Sequence, residues 1–357
     1  MFFTYFYTFS NDCTPMGKEV TILDLAKQLN VSIATISRAL NDDPVVSKKT
    51  KKKIFDLATE VGYRHNRFAA NLRQQKTNTI GVLMHELNSN FMTSVLSGIE
   101  KVTTEAGYDI IIAHSGESFE KEKANTLNLF HKRVDGLIAS LSFGTTSLDH
   151  FTPFERKNIP VVFFDRVEEN SDTIKVVIDN YKAGYIATQH LLEQGCKRIA
   201  IVTASLKRNV YAQRYRGYVD AQFDRGVAID ERRVLIKDLS EQSGIDCALD
   251  LIAMNPMPDG VFITNDFVAA QCMRTLKEHG IRIPDDIAVV GFNNDAISRI
   301  VEPTLTTIDY PGSELGKIAA KNLIDHLRGE KDIRQTSTII VRSELLVRES
   351  SQKKIKL

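Results

Sequence analysis

The sequence predicts an α/β protein: a core of parallel sheets in two halves, preceded by a small helical segment built around a helix-turn-helix. Three observations predict it. From Thr79 to about residue 350, short apolar runs alternate with stretches long enough for helices; the first set is TIGVLMHEL, DIIIAHS, VDGLIAS and IPVVFFD, and the second is RIAIVTA, VLIKD, GVFITN and IAVVGF. Repeated βα units of this kind build a parallel sheet covered by helices on both faces. Thr21 to Asn41, TILDLAKQLNVSIATISRALN, places two apolar-periodic runs on either side of a four-residue turn. Finally, the residues from Lys18 to Lys76 hold twelve basic against six acidic side chains, +6 in a chain whose net charge is only +1.

Each element follows from local chemistry. Ile22, Leu25, Ala26 and Leu29 form the apolar stripe of a first helix, and Ile33, Ile36, Ala39 and Leu40 that of a second. Ala26 suits a steep helix crossing that leaves no room for a larger side chain, and Asn30 tolerates the left-handed backbone of a tight turn. Thr21 and Ser32 are suited to cap the two helices by accepting a bond from an otherwise unpaired backbone N–H. A plain helical hairpin would bury similar residues, and the clustered positive charge favours the DNA-facing alternative. After the turn Asn41-Asp42-Asp43-Pro44, Ser47 caps a third helix from Lys48 to Glu60, with Ile54, Leu57, Ala58 and Val61 inward and Gly62 at its end. Lys48, Lys49, Lys51, Lys52 and Lys53 are expected on solvent or phosphate.

With 357 residues and 43% hydrophobic composition, the chain is long enough for two or three compact units, and no apolar run reaches membrane-spanning length. Cys13, Cys196, Cys247 and Cys272 show neither CxxC pairing nor metal-ligand spacing, which predicts free thiols in a reducing cytoplasm and no metal site. Residues 1–17, with six aromatics in the first nine positions and no basic start, do not read as a signal peptide. They are expected to be an extension outside the fold, with Met16 as the native start.

The segment VTILDLAKQLNVSIATISRALN, followed by VSKKTKKKIFDLATEVGYRHNRFAANL, resembles the DNA-binding headpiece of the LacI/GalR family of bacterial transcription regulators, and the resemblance extends to about residue 350. It implies a headpiece over 18–64, a hinge helix and linker over 65–78, and a two-lobed periplasmic-binding-protein-like core over 79–350, with a tail at 351–357. The first lobe is expected over about 79–177 and 309–336, the second over 178–306. It further implies a cytoplasmic homodimer on double-stranded operator DNA, with no cofactor. The second helix of the headpiece would enter the major groove, where Ile33, Ala34 and Arg38 read bases, while Thr35 and Ser37, near the capping Thr21 and Ser32, hold the backbone. Asn66, Arg67 and Ala69 belong to the implied hinge helix, and Leu72 to its minor-groove wedge. His65 departs from the proline that often precedes the hinge asparagine.

In open α/β sheets ligands bind beyond the carboxyl ends of the strands. His85, Asn90, Phe91, Ser115 and Asp165 follow strands of the first half; Arg208, Asn209, Arg214, Asn265, Asp266 and Asn293 follow those of the second. Each has an ordinary reading: Phe91 in the core, Asp165-Arg166 as a surface pair, Asn265-Asp266 as a helix cap. The resemblance implies that Phe91 is a stacking platform, Arg214 grips the ligand, and Asn265, Asp266 and Asn293 meet hydroxyls. Many relatives carry aspartate where this chain has Asn293-Asn294. With Arg208 and Arg214 available, the effector is expected to be a sugar, a sugar acid or a sugar phosphate. A solute-binding receptor and a sugar-processing enzyme would share the core. The chain has no GxGxxG after a strand, GxxxxGK[ST], HExxH or GxSxG signature, so an enzyme is not the expectation.

Overall fold

The computed structural model describes residues 20–63, 76–169 and 171–353, and the chain divides after Gln75 into a small N-terminal unit and a large core unit. The expected extension at 1–17 and the hinge residues Asn66, Arg67, Ala69 and Leu72 lie outside the described residues.

In the small unit, α1 (Ile22–Leu29), α2 (Ile33–Leu40) and α3 (Lys48–Glu60) enclose a core of Leu25, Ala26, Ile36, Ala39, Val46, Ile54 and Ala58. Asn30 ends α1 at φ 51, in the left-handed region, which lets α2 begin three residues later. Ser32 Oγ accepts from Thr35 N (3.1 Å) and Ser47 Oγ from Thr50 N (3.2 Å), capping α2 and α3. At α1 the Asp24 carboxylate accepts from both the backbone N (2.9 Å) and the hydroxyl (2.7 Å) of Thr21.

The core unit contains two six-stranded sheets among the described residues. The first comprises β1 (Thr79–Met84), β2 (Asp109–His114), β3 (Gly136–Ala139), β4 (Val161–Phe164), β5 (Ile174–Ile178) and β11 (Thr338–Val341), ordered β11-β5-β4-β3-β1-β2 and wholly parallel. The second comprises β6 (Ile199–Thr203), β7 (Val234–Ile236), β8 (Gly260–Ile263), β9 (Ala288–Asn293), β10 (Thr306–Asp309) and β12 (Glu344–Leu346), ordered β12-β10-β9-β8-β6-β7. Only the β10–β12 pair is antiparallel. Central strands such as β3, β4 and β8 are buried at every position, as strands covered by helices on both faces must be. The covering helices are α4 (Asn90–Glu105), α5 (Phe119–His131), the short α6 (Thr152–Arg156), α7 (Asn180–Glu193), α8 (Asn209–Phe223), α9 (Glu241–Ala253), α10 (Asp266–Glu278) and α11 (Gly312–Leu327). No helix is long and apolar enough to cross a membrane among the described residues.

The two lobes exchange elements. Strand β5 of the first sheet leads into α7, which packs on α8 in the second lobe; β10 of the second sheet leads into α11, which packs on α4 in the first. The chain therefore crosses at Asp179, at Tyr310-Pro311, and again between β11 and β12. Residues 338–341 belong to the first lobe, beyond the expected limit of 336, because they pair with β5. Residues 306–309 stay in the second because they pair with β9. Lys76 to Asn78, expected in the linker, are described with the core unit: the Asp135 carboxylate accepts from Thr77 N (2.8 Å) and Asn78 N (2.7 Å). Helix α8 starts at Asn209, with Arg208 at its N-cap position at the end of the preceding loop.

Both helix exchanges rest on glycine. A Cβ on Gly98 would lie 2.1 Å from Ser313 O, and one on Gly316 2.1 Å from Val95 O, so α4 and α11 cross at backbone contact. The α7–α8 crossing repeats this with Gly184 and Gly217.

Candidate functional site

The outer face of α2 is what a groove-reading helix requires. Thr21, Ser32, Ile33, Ala34 and Arg38 are exposed, Thr35 and Ser37 half-exposed, whereas Ile36 and Ala39 on the opposite face are buried. The Arg38 guanidinium has no partner among the described residues. Ser32 and Thr35 hydroxyls share a 2.9 Å bond at the start of the helix, which fixes the cap and leaves Ile33 and Ala34 projecting. Of the lysines on α3, Lys51 departs from expectation: its ammonium donates to Asp42 O (2.8 Å) and pairs with the Asp42 carboxylate (2.5 Å), tying α3 to the turn after α2. That neighbouring charge holds the Asp42 carboxyl below its usual value. Lys48, Lys49, Lys52 and Lys53 are exposed.

In the core unit the carboxyl ends of both sheets meet in a seam that is buried and polar. Segment 165–169, just after β4, meets the start of α8 from the other lobe. Asn209 Oδ1 accepts from Val167 N (3.0 Å) and its Nδ2 donates to Asp165 O (3.1 Å), while Gln213 Nε2 donates to Glu169 Oε1 (3.1 Å). Arg166 Nη1 reaches both carboxylate oxygens of Glu117 (2.7 and 2.8 Å) and its Nη2 donates to Tyr211 Oη (3.1 Å), with the guanidinium 4.0 Å above the Phe143 ring. Burial works against charge on Arg166, but Tyr211, Glu117 and Asp165 outweigh it and hold the proton more firmly than usual. Asp165 adopts φ 57 and accepts from Tyr310 Oη (2.7 Å); burial pushes its carboxyl up despite nearby Arg166. His85 sits beside it, its Nδ1 2.9 Å from Ser140 Oγ, and burial pushes its ring well below the ordinary value, so it is neutral here. The Ser115 hydroxyl donates back to His85 O (3.5 Å).

Arg214 is equally committed. Its Nε donates to Asn180 Oδ1 (2.9 Å) and Nη1 to Thr264 O (3.4 Å), and the guanidinium lies 3.5 Å over the Phe292 ring. Arg208 reaches across the seam to Thr145 O (2.6 Å). Phe91 stacks on Tyr310, with centroids 4.1 Å apart and planes at 23°. Beside this pair a groove of about 490 Å³ opens, lined by Asn90, Phe91, Asn293, Asn294, Asp295, Asp309 and Tyr310 among others. Its volume suits a small ligand, with an aromatic wall and carboxamides at the rim. Asn265 accepts from Val268 N (3.0 Å) and so caps α10, the ordinary reading.

Comparison with known proteins agrees with this architecture. Residues 21–66 match the model for bacterial regulatory proteins, lacI family, and residues 188–351 that for a periplasmic binding protein-like domain. The HTH-type transcriptional regulator RegA of Clostridium saccharobutylicum is 33% identical over 333 residues, 93% of this chain and 99% of that one. The chain belongs to the lacI family. Among solved structures, a lac repressor bound to ONPG in the repressed state superimposes with TM-score 0.81 at 25% identity, over 93% of this chain and 100% of that one. The transcriptional regulator CelR in complex with cellobiose does so with TM-score 0.70 at 27% identity, over 93% and 100%. The protein is thus a LacI-family transcriptional regulator with a DNA-binding helix-turn-helix.

Within this LacI-family core, Asp165, Arg208, Asn209 and Arg214 come together at the seam, while Phe91 and Asn293 face the groove. Asp266 does not. It is fully buried beneath β9 and β10, where its carboxylate accepts from Thr307 Oγ1 (2.7 Å) and Asp295 N (2.9 Å). The expected ligand contact is corrected to a structural one, because the first residue of α10 points into the sheet. The seam also uses Tyr310, directly after β10, Glu117, three residues past β2, and Tyr211 on α8, none of which stood among the expected ligand residues, and Arg166, which is buried rather than a surface residue.

Burial, reinforced by Asp295, pushes the Asp266 carboxyl from 3.8 to about 7. The native state therefore keeps a proton that the unfolded chain releases between those values, and this group's contribution is full at low pH and lost as pH rises through about 7. Up to about 4 kcal/mol is involved. In Asp266→Asn, Oδ1 can still accept from Asp295 N and Nδ2 can donate to Thr307 Oγ1. Urea unfolding at pH 5 and pH 8 should show the wild type losing more stability than this variant on going to pH 8; parallel losses would mean that Asp266 does not titrate there.

Proposed function

We propose that this protein is a cytoplasmic repressor of carbohydrate-metabolism genes that binds a pseudo-palindromic operator as a homodimer, and that a small sugar-like effector between the lobes sets operator affinity. The observation that carries the first half is the free Arg38 on the exposed face of α2, flanked by Ile33 and Ala34. An unpartnered guanidinium can bond bidentately to guanine O6 and N7, while the two apolar side chains suit a thymine methyl. The hinge residues Asn66, Arg67, Ala69 and Leu72 are assigned to the minor groove on sequence resemblance.

The effector half is supported by the groove beside Phe91 and Tyr310, by Asn293 at its rim, and by the cellobiose complex of the related regulator CelR. An effector that changes how segment 165–169 meets α8 changes the angle between lobes, and coupling of this type is typically about 1–3 kcal/mol. A second copy is supported by apolar residues left exposed in both lobes, Ile112 and Leu127 in one, Phe267 and Ile300 in the other.

A binding titration tests the DNA reading. On a duplex selected from a random pool, Arg38→Ala should weaken binding by about ten- to a hundredfold, with little change on unrelated DNA, and saturation should occur at two chains per duplex. Equal loss on both DNAs would overturn base reading by Arg38, and one chain per duplex would overturn the dimer.

A further inference from the structure

The point where the chain enters the core unit is held by one carboxylate. Asp135 directly precedes β3, and its own backbone N donates to Thr79 O (2.8 Å), which sets it against the start of β1. From there the side chain reaches back along the chain. Oδ1 accepts from Thr77 N (2.8 Å) and Oδ2 from Asn78 N (2.7 Å), while the Thr77 hydroxyl is shared between Asp135 Oδ1 (3.1 Å) and Arg133 O (2.9 Å). Asn78, at φ 51, turns the chain into β1, and its carbonyl accepts from Asp109 N at the start of β2 (2.9 Å). Bonds from N–H groups to an ionised carboxylate are shorter and stronger than those to a neutral acceptor. Among the described residues, Thr77 is therefore where the tether from the headpiece becomes fixed to the core.

We propose that Asp135 is a positioning residue for operator binding: it fixes where each chain leaves the core and so sets the half-site spacing that the dimer accepts. The proposal rests on the reading that a homodimer holds an operator of two half-sites. Magnitudes carry it. Without the carboxylate the chain is held next by Asn78 O and Thr79, which adds two residues to each arm, up to about 7 Å of reach at ~3.5 Å per extended residue. One base pair inserted at the centre of an operator moves a half-site by about 3.4 Å along the axis and turns it by about 35°, a tenth of a turn. Two loosened arms cover that shift; two anchored arms do not. Slack also dilutes the second headpiece around its half-site, because effective concentration falls as a tether lengthens beyond the span it must bridge.

The test is titration of the full chain on the operator selected from a random pool, on the same duplex with one base pair inserted at its centre, and on unrelated DNA. Wild type should lose about tenfold or more on the inserted duplex, and Asp135→Ala less than about threefold, because its arms reach both spacings. On the unaltered operator Asp135→Ala should bind about tenfold more weakly than wild type, with binding to unrelated DNA unchanged. Asp135→Asn keeps an acceptor for Thr77 N but not for Asn78 N, so it should fall between the two, and it carries the test if the alanine variant does not fold. A Gly-Ser insertion between Lys76 and Thr77 adds the same two residues with the anchor intact and should reproduce the tolerance of the inserted duplex; if it does not, reach is not the cause and the proposal falls. Folded Asp135 variants that discriminate between the two duplexes as sharply as wild type overturn the proposal, whatever their melting temperatures, and leave the dimer reading intact. Wild type that binds both duplexes equally, or as one chain per duplex, overturns both.

Discussion

Gly184→Ala is expected to cost the core unit at least about 4 kcal/mol, a size reserved for steric failures of the backbone. The added Cβ would lie 2.2 Å from Arg214 O and 2.8 Å from Arg214 C and Cα. These are main-chain atoms of a helix, which cannot turn aside as a side-chain end would. Gly217 faces the same contact from the other side, 2.2 Å from Tyr181 O, so α7 and α8 would have to separate along their whole crossing. Gly280→Ala is the control: it has φ +78 with nothing within 4 Å, so its cost is limited to backbone preference, about 1 kcal/mol. Urea unfolding followed by circular dichroism separates the two, and equal midpoints for wild type and Gly184→Ala would show that the helices can spread at little cost. Because the Gly184 contact is to Arg214 itself, a tolerated variant should also move that guanidinium off the Phe292 ring.

The second large effect is at the seam. Arg166→Ala should lower stability by about 3 kcal/mol, since it leaves the largely buried Glu117 carboxylate without its bidentate partner and removes the bond to Tyr211 in the other lobe. Burial already pushes the Glu117 carboxyl above its usual value with Arg166 present. The double variant Arg166→Ala, Glu117→Gln should recover part of the loss, because the amide carries no charge to strand. Additive losses would mean that the pair does little and that the cost of Arg166→Ala comes from its packing on Phe143.

Much of this was legible in the sequence, for reasons that show where legibility stopped. The headpiece depends on residues within 40 positions of each other, whose periodicity and caps are local, and Asn30, Ser32 and Ser47 do what their chemistry suggests. Strand order and the ends of β10 and β11 depend on pairing between segments more than a hundred residues apart, as Thr338–Val341 with Lys175–Ile178, which no local pattern encodes. The candidate site divides the same way. Position after a strand pointed to Asp165, Arg208 and Arg214, but the same rule selected Asp266, whose side chain turns inward. Arg166 looked like half of a surface pair because its real partners, Glu117 and Tyr211, lie 49 and 45 residues away.

The exchange of α7 and α11 between lobes bears on how the chain is made. A first lobe cut off after β5 would lack α11 and β11, and the α4 face that receives Gly316 would stand open to water. On the ribosome that face waits until residues 312–327 emerge, on the order of ten seconds after β5 at bacterial rates of synthesis. For that interval the half-built lobe leaves open the stretch of α4 that α11 covers at Phe91, Val95 and Gly98. Neither lobe can be a finished folding unit, so the nascent regulator depends on staying unaggregated until almost its whole length has been translated.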